Sequence, residues 1–543
     1  MKKFILLYGI CVFFSFSSVS QVTFEMIKDI NQNNGAGSFP NTFAECSGKL
    51  FFVANDGTHG YELWMTDGTE AGTRLVKDIK PGSDIFGSWI STPVEYNELL
   101  YFYARGAENG DGLWVSDGTE AGTQLVKETP TITKFIKYNG KLLFATGELW
   151  ITDGTEAGTR IVKQISTNPL GPSNPRVLSE LNGKLYFFAF NGTNGNELWM
   201  TDGTEAGTQL VGGPYMEGSS IIGIDPAIDY ITHGDKIYFT AGDPLFGAEP
   251  WVTDGTGAGT HRLKDINTLA GFGSSPHSYT VYQDKVYFVA NDALHGEELW
   301  VTDGTEAGTR LVKDINVILN PYAKDQLYTK NSSPKGLTVF NGKLYFSADD
   351  DIHDRELWVT DGTEAGTQLV KDINSSYFSN PEYFKEYKGK LYFVAQSALA
   401  REKLYVTDGT AEGTKVVEPD NAIGNRPFYE TKEFYIYNDE LYFRANYTNH
   451  TNDYELWKLG ASVLSVPKKE KTTFQVYPNP TKDLLTITTE GNVRFTIFDA
   501  IGREIKTFEV ADNKEISIAE FKSGVYLLKE AHAQGGYLWI VKE

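Results

Sequence analysis

Eight aspartates, each followed by Gly-Thr, recur along the chain about every 49 residues. They are Asp67, Asp117, Asp153, Asp202, Asp254, Asp303, Asp361 and Asp408. Carboxylates and turn carbonyls are hard oxygen ligands, so one interpretation is a calcium ion at each turn. In the other interpretation, Asp caps backbone amides of its own turn, Gly takes a positive φ and Thr bonds locally. The spacing does not match an EF-hand loop, and this favours the structural interpretation.

Catalysis would require a unique convergent set of residues, and the sequence offers none. The eight histidines of the chain have no His-x-x-x-His zinc spacing, and no Gly-x-Ser-x-Gly nucleophile motif is present. His59, His295 and His353 occupy one loop position in three repeats, which indicates a structural feature of the repeat. The sequence therefore favours a protein without enzymatic activity. Carboxylates from different repeats that meet at one site remain the open alternative.

The aspartates belong to a longer unit that predicts the fold. A tryptophan precedes each turn at a constant distance, and Tyr405 replaces it once. The period matches the length of a propeller blade, about 40–50 residues. Each period holds four short segments rich in aromatic and β-branched residues and bounded by Gly, Asn and Asp, without helical periodicity. Such a unit predicts a four-stranded antiparallel blade repeated around an axis.

The blade count depends on how the ring closes. Nine second-strand segments are present, but the ninth unit stops soon after Trp457. The N-terminal segment Met26–Asn31 reads like Leu311–Asn316, so it is expected to supply the missing strand and remove both free edges. The alternative is Ser462–Val466. We predict an all-β fold: a single β-propeller of about nine four-stranded blades, with eight as the alternative, and then a small β-sandwich.

Two faces of such a ring differ in sequence. The first and third hairpin turns of each blade share one face, here called the turn face, and they are nearly identical. The second-to-third strand loops and the blade connections share the other, the loop face, and they vary. Binding usually resides in variable loops on a fixed scaffold. The aromatic candidates for ligand binding on the loop face are Trp89, Tyr215, Phe272, Tyr322 and Tyr377.

Charge and targeting features restrict the function classes. A formal net charge of −22 argues against nucleic acid and anionic membranes as partners. Residues 1–20 have the charged start, apolar run and small residues of a secretory signal peptide. No later stretch is long and apolar enough for a transmembrane segment. Of the two cysteines, Cys11 lies in the signal and Cys46 is expected in the core.

The string Glu298-Leu299-Trp300-x-x-Asp303-Gly304-Thr305 resembles the repeat of the ELWxxDGT (hyalin-like) secreted bacterial proteins. The resemblance covers residues 21–459 and implies repeats and export, without an established activity. Two copies depart from the phrase, with Pro250 in place of Leu in the fifth and Lys403–Tyr405 in place of Glu-Leu-Trp in the eighth.

After a linker at 460–473, residues 474–543 resemble the C-terminal sorting domain of the type IX secretion system. The motif residues are Tyr477, Pro478, Asn479, Pro480, Gly502, Gly524 and Tyr526. The resemblance implies engagement with that machinery, removal of the tail, and a mature protein that is released or attached to the cell surface.

These observations predict a secreted or outer-membrane-surface propeller that acts as a binding or adhesion module for a glycan or a surface or matrix protein. No cofactor is expected, apart from the calcium interpretation above. Two alternatives stay open: a glycan-active hydrolase or lyase with carboxylates on the loop face, and a calcium-stabilised structural surface protein.

Overall fold

The computed structural model describes residues 22–542 except 34, 83–85, 107–109, 167–170, 193–195, 212–228, 244, 270, 320–329, 398–400, 420–427, 429–432, 449, 451, 462–473, 500–502 and 531–536. The predicted signal peptide lies outside the described residues. The described chain folds into strands and forms two compact units, Val22–Gly460 and a unit that begins at Ala461.

Nine four-stranded antiparallel sheets make up the first unit, and each is one blade. The N-terminal strand is β1 (Val22–Lys28). Blades 1 to 3 contain β2 (Asn41–Cys46), β3 (Lys49–Asn55), β4 (Tyr61–Thr66), β5 (Arg74–Lys77); β6 (Ser91–Tyr96), β7 (Leu99–Gly106), β8 (Gly110–Ser116), β9 (Gln124–Glu128); β10 (Lys134–Tyr138), β11 (Lys141–Ala145), β12 (Leu149–Thr152) and β13 (Arg160–Ile161). Blades 4 to 6 contain β14 (Arg176–Leu181), β15 (Lys184–Phe190), β16 (Asn196–Thr201), β17 (Gln209–Leu210); β18 (Tyr230–His233), β19 (Lys236–Asp243), β20 (Gly247–Thr253), β21 (His261–Arg262); β22 (His277–Tyr282), β23 (Lys285–Asn291), β24 (Glu297–Thr302) and β25 (Arg310–Lys313). Blades 7 to 9 contain β26 (Lys335–Phe340), β27 (Lys343–Asp349), β28 (Arg355–Thr360), β29 (Gln368–Lys371); β30 (Glu382–Tyr387), β31 (Lys390–Ser397), β32 (Arg401–Thr407), β33 (Lys415–Val416); β34 (Phe434–Tyr437), β35 (Glu440–Ala445) and β36 (Glu455–Ala461).

Strands within a blade pair in chain order, and the ninth blade is completed by β1, which pairs with β36. The predicted closure by the N-terminal strand is thus confirmed. First strands of neighbouring blades lie against one another, as β22, β26 and β30 do, so they form the inner ring around the axis. The second strands are buried on both faces because a blade covers each side, which explains their continuous apolar runs.

An apolar core fills each of the nine junctions between neighbouring blades. Between blades 6 and 7, Leu299 and Val301 pack with Phe346 and Trp358 in one cluster. Between blades 9 and 1, Ile27 and Leu456 pack with Phe52 in another. The other seven junctions hold equivalent clusters. Since the junction from blade 9 to blade 1 has the same kind of core as the others, the ring is closed.

A lysine at the end of the fourth strand ties each of several blades to the next one. Lys313 Nζ donates to the carbonyl of Thr367 at 2.8 Å, and Lys28 of β1 makes the same bond to Thr73 at 2.8 Å. Equivalent bonds start from Lys77, Lys163, Lys264 and Lys371. The N-terminal strand therefore takes part in the repeated contacts of an internal fourth strand.

The C-terminal unit is built of β37 (Phe474–Tyr477), β38 (Leu484–Phe498), β39 (Glu504–Ser517), β40 (Gly524–Glu530) and β41 (Tyr537–Lys542). The long β38–β39 hairpin has a register shift between Thr488 and Asn492, which divides the sheet into two halves. Buried residues from both halves, such as Leu485 and Leu528, form one core, as the predicted small β-sandwich requires. In the described residues of both units, no helix is long and apolar enough to span a membrane.

The closure predicts a stability effect at the N-terminus. Ile27 is buried in the core between blades 9 and 1, so Ile27→Ala is expected to lower the free energy of unfolding by about 2–5 kcal/mol. Val312→Ala, at the equivalent place in the internal strand β25, is the matched control and is expected to show a smaller loss of the same kind. Chemical denaturation measures both, and an I27A protein as stable as the wild type would contradict closure by β1.

Candidate functional site

The Asp-Gly-Thr turn closes on itself. Asp303 Oδ1 accepts hydrogen bonds from the Thr305 amide at 3.0 Å and the Thr305 hydroxyl at 2.7 Å, and Thr305 Oγ1 accepts one from the Gly308 amide at 2.9 Å. A side chain on Gly308 would overlap the Asp303 carboxylate, which explains this glycine. The Thr305 bonds hold the pKa of Asp303 below its ordinary value.

The same bonds recur in all eight turns. The aspartate-to-threonine hydroxyl bond is present at Asp67, Asp117, Asp153, Asp202, Asp254, Asp303, Asp361 and Asp408. In the described part of the chain, the one group of three acidic or histidine side chains with ligand atoms within 4.8 Å of one another is Asp29, Asp453 and Glu455. No turn aspartate belongs to it, and calcium at the turns stays a prediction.

The glutamate that begins each Glu-Leu-Trp phrase is buried and clamps the blade connection. Glu298 is fully buried, and its carboxylate accepts bonds from the amides of Ile315 at 3.2 Å and Ser332 at 3.1 Å. It also accepts the Ser332 hydroxyl at 2.5 Å. One side chain therefore fixes both the end of its own blade and the residue that leads into the next blade.

The clamp serine extends this contact into the following blade. The Ser332 carbonyl accepts the amide of Asp349 in β27, and Ser38 and Asn55 make the same bond in blade 1. Ser38 in turn donates its hydroxyl to Glu455 of blade 9, so the clamp also spans the ring closure. The described glutamate–serine pairs are Glu62–Ser88, Glu148–Ser173, Glu249–Ser274, Glu298–Ser332, Glu356–Ser379 and Glu455–Ser38.

Blades 2 and 8 have another residue at the position of the clamp glutamate and hold the connection by other contacts. Blade 2 has Gly112 in this position, and its fourth strand continues the pairing up to Gly112↔Glu128, so backbone replaces the carboxylate. A side chain at Gly112 would collide with the Lys127 carbonyl. In blade 8, Lys403 Nζ pairs with Glu418 at 2.6 Å. The departure at Lys403 was predicted from the repeat phrase, whereas the one at Gly112 was not.

The serine of the clamp was also missed, although the sequence carries a signal for it. Ser-x-Pro precedes the first strand five times, at Ser38, Ser173, Ser274, Ser332 and Ser379. The middle residue has a positive φ in each copy, for example 43° at Ser333 and 45° at Asn380. The motif becomes meaningful only when the buried glutamate is known to lie beside it.

Histidines in the repeated loop position are held by a local aspartate. His59, His295 and His353 each place Nδ1 within 2.7 or 2.8 Å of an Asp three residues earlier. The same aspartates accept amides of the loop. Their hydrogen bonds raise the pKa of His59 and of His353. The pairs close a repeated loop. Asp351, the last residue of the acidic run Asp349–Asp351, pairs with Lys330.

Three of the five predicted aromatic ligand residues are exposed on the loop face. Phe272 is 66% exposed, Tyr377 is 67% exposed and Trp89 is 54% exposed. Tyr215 and Tyr322 lie outside the described residues.

Cys46, expected in the core, is buried and free.

Exposed large apolar side chains of the propeller concentrate on this face. Those in described loops of the loop face are Phe86, Trp89, Leu245, Leu269, Phe272, Leu294, Val317, Ile318, Leu319, Ile352, Tyr377 and Phe378. The remaining ones in the described propeller, Leu210, Val339, Tyr383, Val416 and Ile436, lie in strands. Concentration of apolar surface on one face is typical of an interaction surface.

Trp89 combines exposure with a strained backbone. Its positive φ, 46°, is shared by the equivalent residues of other blades, which are Phe39, Asn174, Ser275, Ser333 and Asn380. Asn and Ser tolerate this region better than a bulky aromatic residue does. The Arg105 guanidinium lies over the indole ring, 4.4 Å from its centroid.

Comparison with protein families identifies the C-terminal unit. Residues 475–538 match the family described as the secretion system C-terminal sorting domain. This is a type IX export signal. The protein is therefore secreted through the type IX secretion system and is attached to the cell surface or released. In the described part of the predicted motif, Asn479 Oδ1 accepts the Val541 amide at 2.8 Å and the Tyr526 hydroxyl donates to the Lys522 carbonyl at 2.7 Å. Gly502 lies outside the described residues.

No curated protein sequence matches the chain. Among solved structures, the chain is similar to the computationally designed Ika8 protein, with 14% identity, a TM-score of 0.34, and coverage of 66% of this chain and 94% of that one. It is similar to a puromycin hydrolase mutant, with 13% identity, a TM-score of 0.33, and coverage of 77% of this chain and 60% of that one. It is also similar to an acylaminoacyl peptidase of Pyrococcus horikoshii, with 12% identity and a TM-score of 0.32. The match covers 75% of this chain and 57% of that one. This chain thus spans about 60% of either enzyme. None of these similarities identifies a ligand or a reaction.

The buried glutamates predict a stability that falls with rising pH. Burial raises the pKa of Glu298 to about 8 and the pKa values of Glu62, Glu356 and Glu455 to about 7, against an ordinary value of 4.5. Because these folded-state values exceed the unfolded one, their contribution is complete below about pH 4.5 and is lost as the pH rises through about 7–8. Urea denaturation should give a larger free energy of unfolding at about pH 5 than at about pH 9. Glu298→Gln should reduce that difference, and an unchanged pH dependence would contradict the assignment.

The sorting unit predicts the fate of a truncated chain. Removal of residues 461–543 should leave the propeller in the periplasm, because the type IX signal is absent. Lys514→Gln, which replaces an exposed residue of the same unit, is the control, and this variant should be exported normally. Immunoblots of periplasm, cell surface and medium measure the distribution, and surface display of the truncated chain would contradict the role of the unit.

Proposed function

We propose that the propeller is a binding module, displayed on or released from the cell, that contacts a glycan or a surface or matrix protein through its loop face. The observation that carries the proposal is the concentration of exposed aromatic and apolar side chains on that face, with Trp89, Phe272 and Tyr377 among them. Export to the outside of the cell supports the proposal, because such ligands occur there. The repeat phrase further supports assignment to the ELWxxDGT-repeat proteins.

Carbohydrate is the ligand class that this surface fits best. Exposed aromatic rings stack on the apolar faces of sugars, and neighbouring polar groups bond their hydroxyls. Asn380, which is partly exposed, lies near Tyr377 and Phe378 in the connection between blades 7 and 8. The acidic net charge argues against nucleic acid and anionic lipid.

A second candidate, a glycan-active hydrolase or lyase, is favoured by one observation. Acidic residues found in single blades, Asp229, Glu382 and Glu433, stand at the loop-face ends of inner strands, where propeller blades converge. Paired carboxylates are the groups that glycoside hydrolysis uses. Binding and catalysis at this face differ in whether products appear.

The test is incubation of the exported protein with immobilised polysaccharides and matrix proteins, scored for retention and for released fragments. We expect retention without products. Trp89→Ala, Phe272→Ala and Tyr377→Ala should each weaken retention by about tenfold, the effect of losing a stacked ring worth about 1–3 kcal/mol. Leu210→Ala, which removes an exposed apolar side chain from an outer strand of blade 4, is the matched control.

Retention that is unaffected by all three aromatic substitutions would contradict the assignment of the loop face. Released oligosaccharides would instead support the enzymatic candidate, and Glu382→Gln and Glu433→Gln would then be the substitutions to examine.

A further inference from the structure

Blade 9 differs from the other eight blades in how its third and fourth strands are joined. In blades 1 to 8 an Asp-Gly-Thr turn connects these two strands, as residues 303–308 do between β24 and β25. In blade 9, β36 pairs with β1, which lies at the other end of the propeller chain. We call this pairing and the contacts around it the seam. No turn links its two strands, so only noncovalent contacts hold them together.

Several contacts close the seam. Glu25 Oε2 of β1 lies 3.3 Å from Lys458 Nζ of β36. Beyond β1, the Gly37 amide donates to the Asn452 carbonyl at 2.7 Å, which ties the chain that leads into blade 1 to the loop before β36. The apolar core between blades 9 and 1 adds to these contacts. Release of β1 from β36 would therefore open the ring at one place.

Three carboxyl groups converge at the loop-face end of the seam. Asp29 directly follows β1, Asp453 precedes β36, and Glu455 is the clamp residue of blade 9. Oxygen atoms of the three side chains lie within 4.8 Å of one another. The amides of Ile30 and Ser38 and the Ser38 hydroxyl all donate to Glu455. These donors serve one carboxyl group of the three, and the other two add negative charge beside it.

Asp453 is the member of this group that the repeat does not require. Two residues before the clamp glutamate, blades 1 and 6 have Gly60 and Gly296, both with a positive φ. Blade 7 has Asp354 at this position, but Asp354 is exposed and does not form such a group within the described residues. The seam is thus the junction at which a third carboxyl group lies beside the clamp glutamate and the aspartate after the fourth strand.

Proximity of these acids makes the seam sensitive to protons, because like charges disfavour the ionised form. Burial, and after it the charge of Asp453, raises the pKa of Asp29, whereas the charge of His450 lowers it. Burial raises the pKa of Glu455 to about 7 against the hydrogen bonds from Ser38, and the charge of Asp29 adds to the rise. Both folded-state pKa values exceed the ordinary ones. Their contribution to the closed seam is therefore complete below about pH 4 and is lost as the pH rises through about 7.

We propose that the seam is a pH-sensitive closure of the ring. It holds β1 on β36 while the group of Asp29, Asp453 and Glu455 keeps a proton, and it releases β1 when all three are ionised. Repulsion acts directly on the seam, because Asp29 follows β1 and the other two acids lie on blade 9. At an internal junction, the same repulsion acts on strands that a turn holds together. The seam therefore opens at a pH at which the other junctions stay closed. This inference does not rest on the proposed binding function.

Hydrogen–deuterium exchange of the exported protein at about pH 5 and about pH 8.5 tests the proposal. Rates are expressed as protection factors, which removes the intrinsic pH dependence of exchange. We expect peptides that cover β1 to lose protection by at least about tenfold between the two pH values, because local opening exposes their amides. Peptides that cover β25, the fourth strand of blade 6, should lose less than about threefold.

Two substitutions remove one charge each from opposite sides of the seam. Asp453→Asn and Asp29→Asn keep the size of the side chain, and in each variant β1 should lose less than about threefold of its protection over the same pH range. Asp354→Asn, which removes an exposed carboxyl group from the equivalent position of blade 7, is the matched control and should leave the loss in β1 unchanged. Asp29 is exposed, so its replacement by Asn is compatible with folding.

Protection of β1 that does not change with pH, or that falls in step with protection of β25, would overturn the inference, because the seam would then behave as an internal junction does. So would a full pH-dependent loss in both Asn variants. Lower protection of β1 in D453N at both pH values would assign a structural role to the Asp453 side chain, and this result would also overturn the inference.

Discussion

The propeller depends on a buried carboxyl group that bonds the end of one blade to the start of the next. Glu298 is removed from water, and burying a carboxyl group is costly unless donors surround it. Amides of Ile315 and Ser332 and the Ser332 hydroxyl provide those donors, and they belong to the chain segments that must be positioned between blades. Loss of one donor segment would leave a buried carboxyl group without its partners. The blade connection and the blade core therefore stabilise each other. The Glu455–Ser38 pair applies the same constraint where the ring closes.

This arrangement separates the parts of the sequence that serve the fold from those that serve binding. The turn face has its aspartates, threonines and glycines bound within their own turns, and its inner-strand tyrosines bound to the next blade. The loop face is held by the glutamate clamp at a few backbone points, and the side chains between those points vary. Trp89 follows the clamp residue Ser88 directly and takes a positive φ. The variable side chains can therefore change without loss of the ring, which suits a scaffold that presents a binding surface.

The sequence predicted the fold well because each of its signals is local and repeated. The period, the Asp-Gly-Thr turn and the likeness of Met26–Asn31 to Leu311–Asn316 are visible without coordinates, and they give nine blades closed by β1. The clamp was not predicted because Glu298 and Ser332 are distant in sequence. Neither motif by itself indicates that the two side chains are in contact. Exposure of Trp89, Phe272 and Tyr377 agrees with their prediction as loop-face residues, while binding at these residues stays a prediction.

Hydrogen–deuterium exchange of the Glu298→Ala protein would test the clamp most directly. We expect faster exchange at the amides of Ile315 and Ser332, which lose their acceptor, and at the amide of Asp349 in β27, which is bonded to the Ser332 carbonyl. Glu306→Ala, at an exposed residue of the adjacent turn, removes the same kind of side chain and should leave these amides protected. Unchanged protection of the three amides in Glu298→Ala would contradict the claim that the buried glutamate joins neighbouring blades.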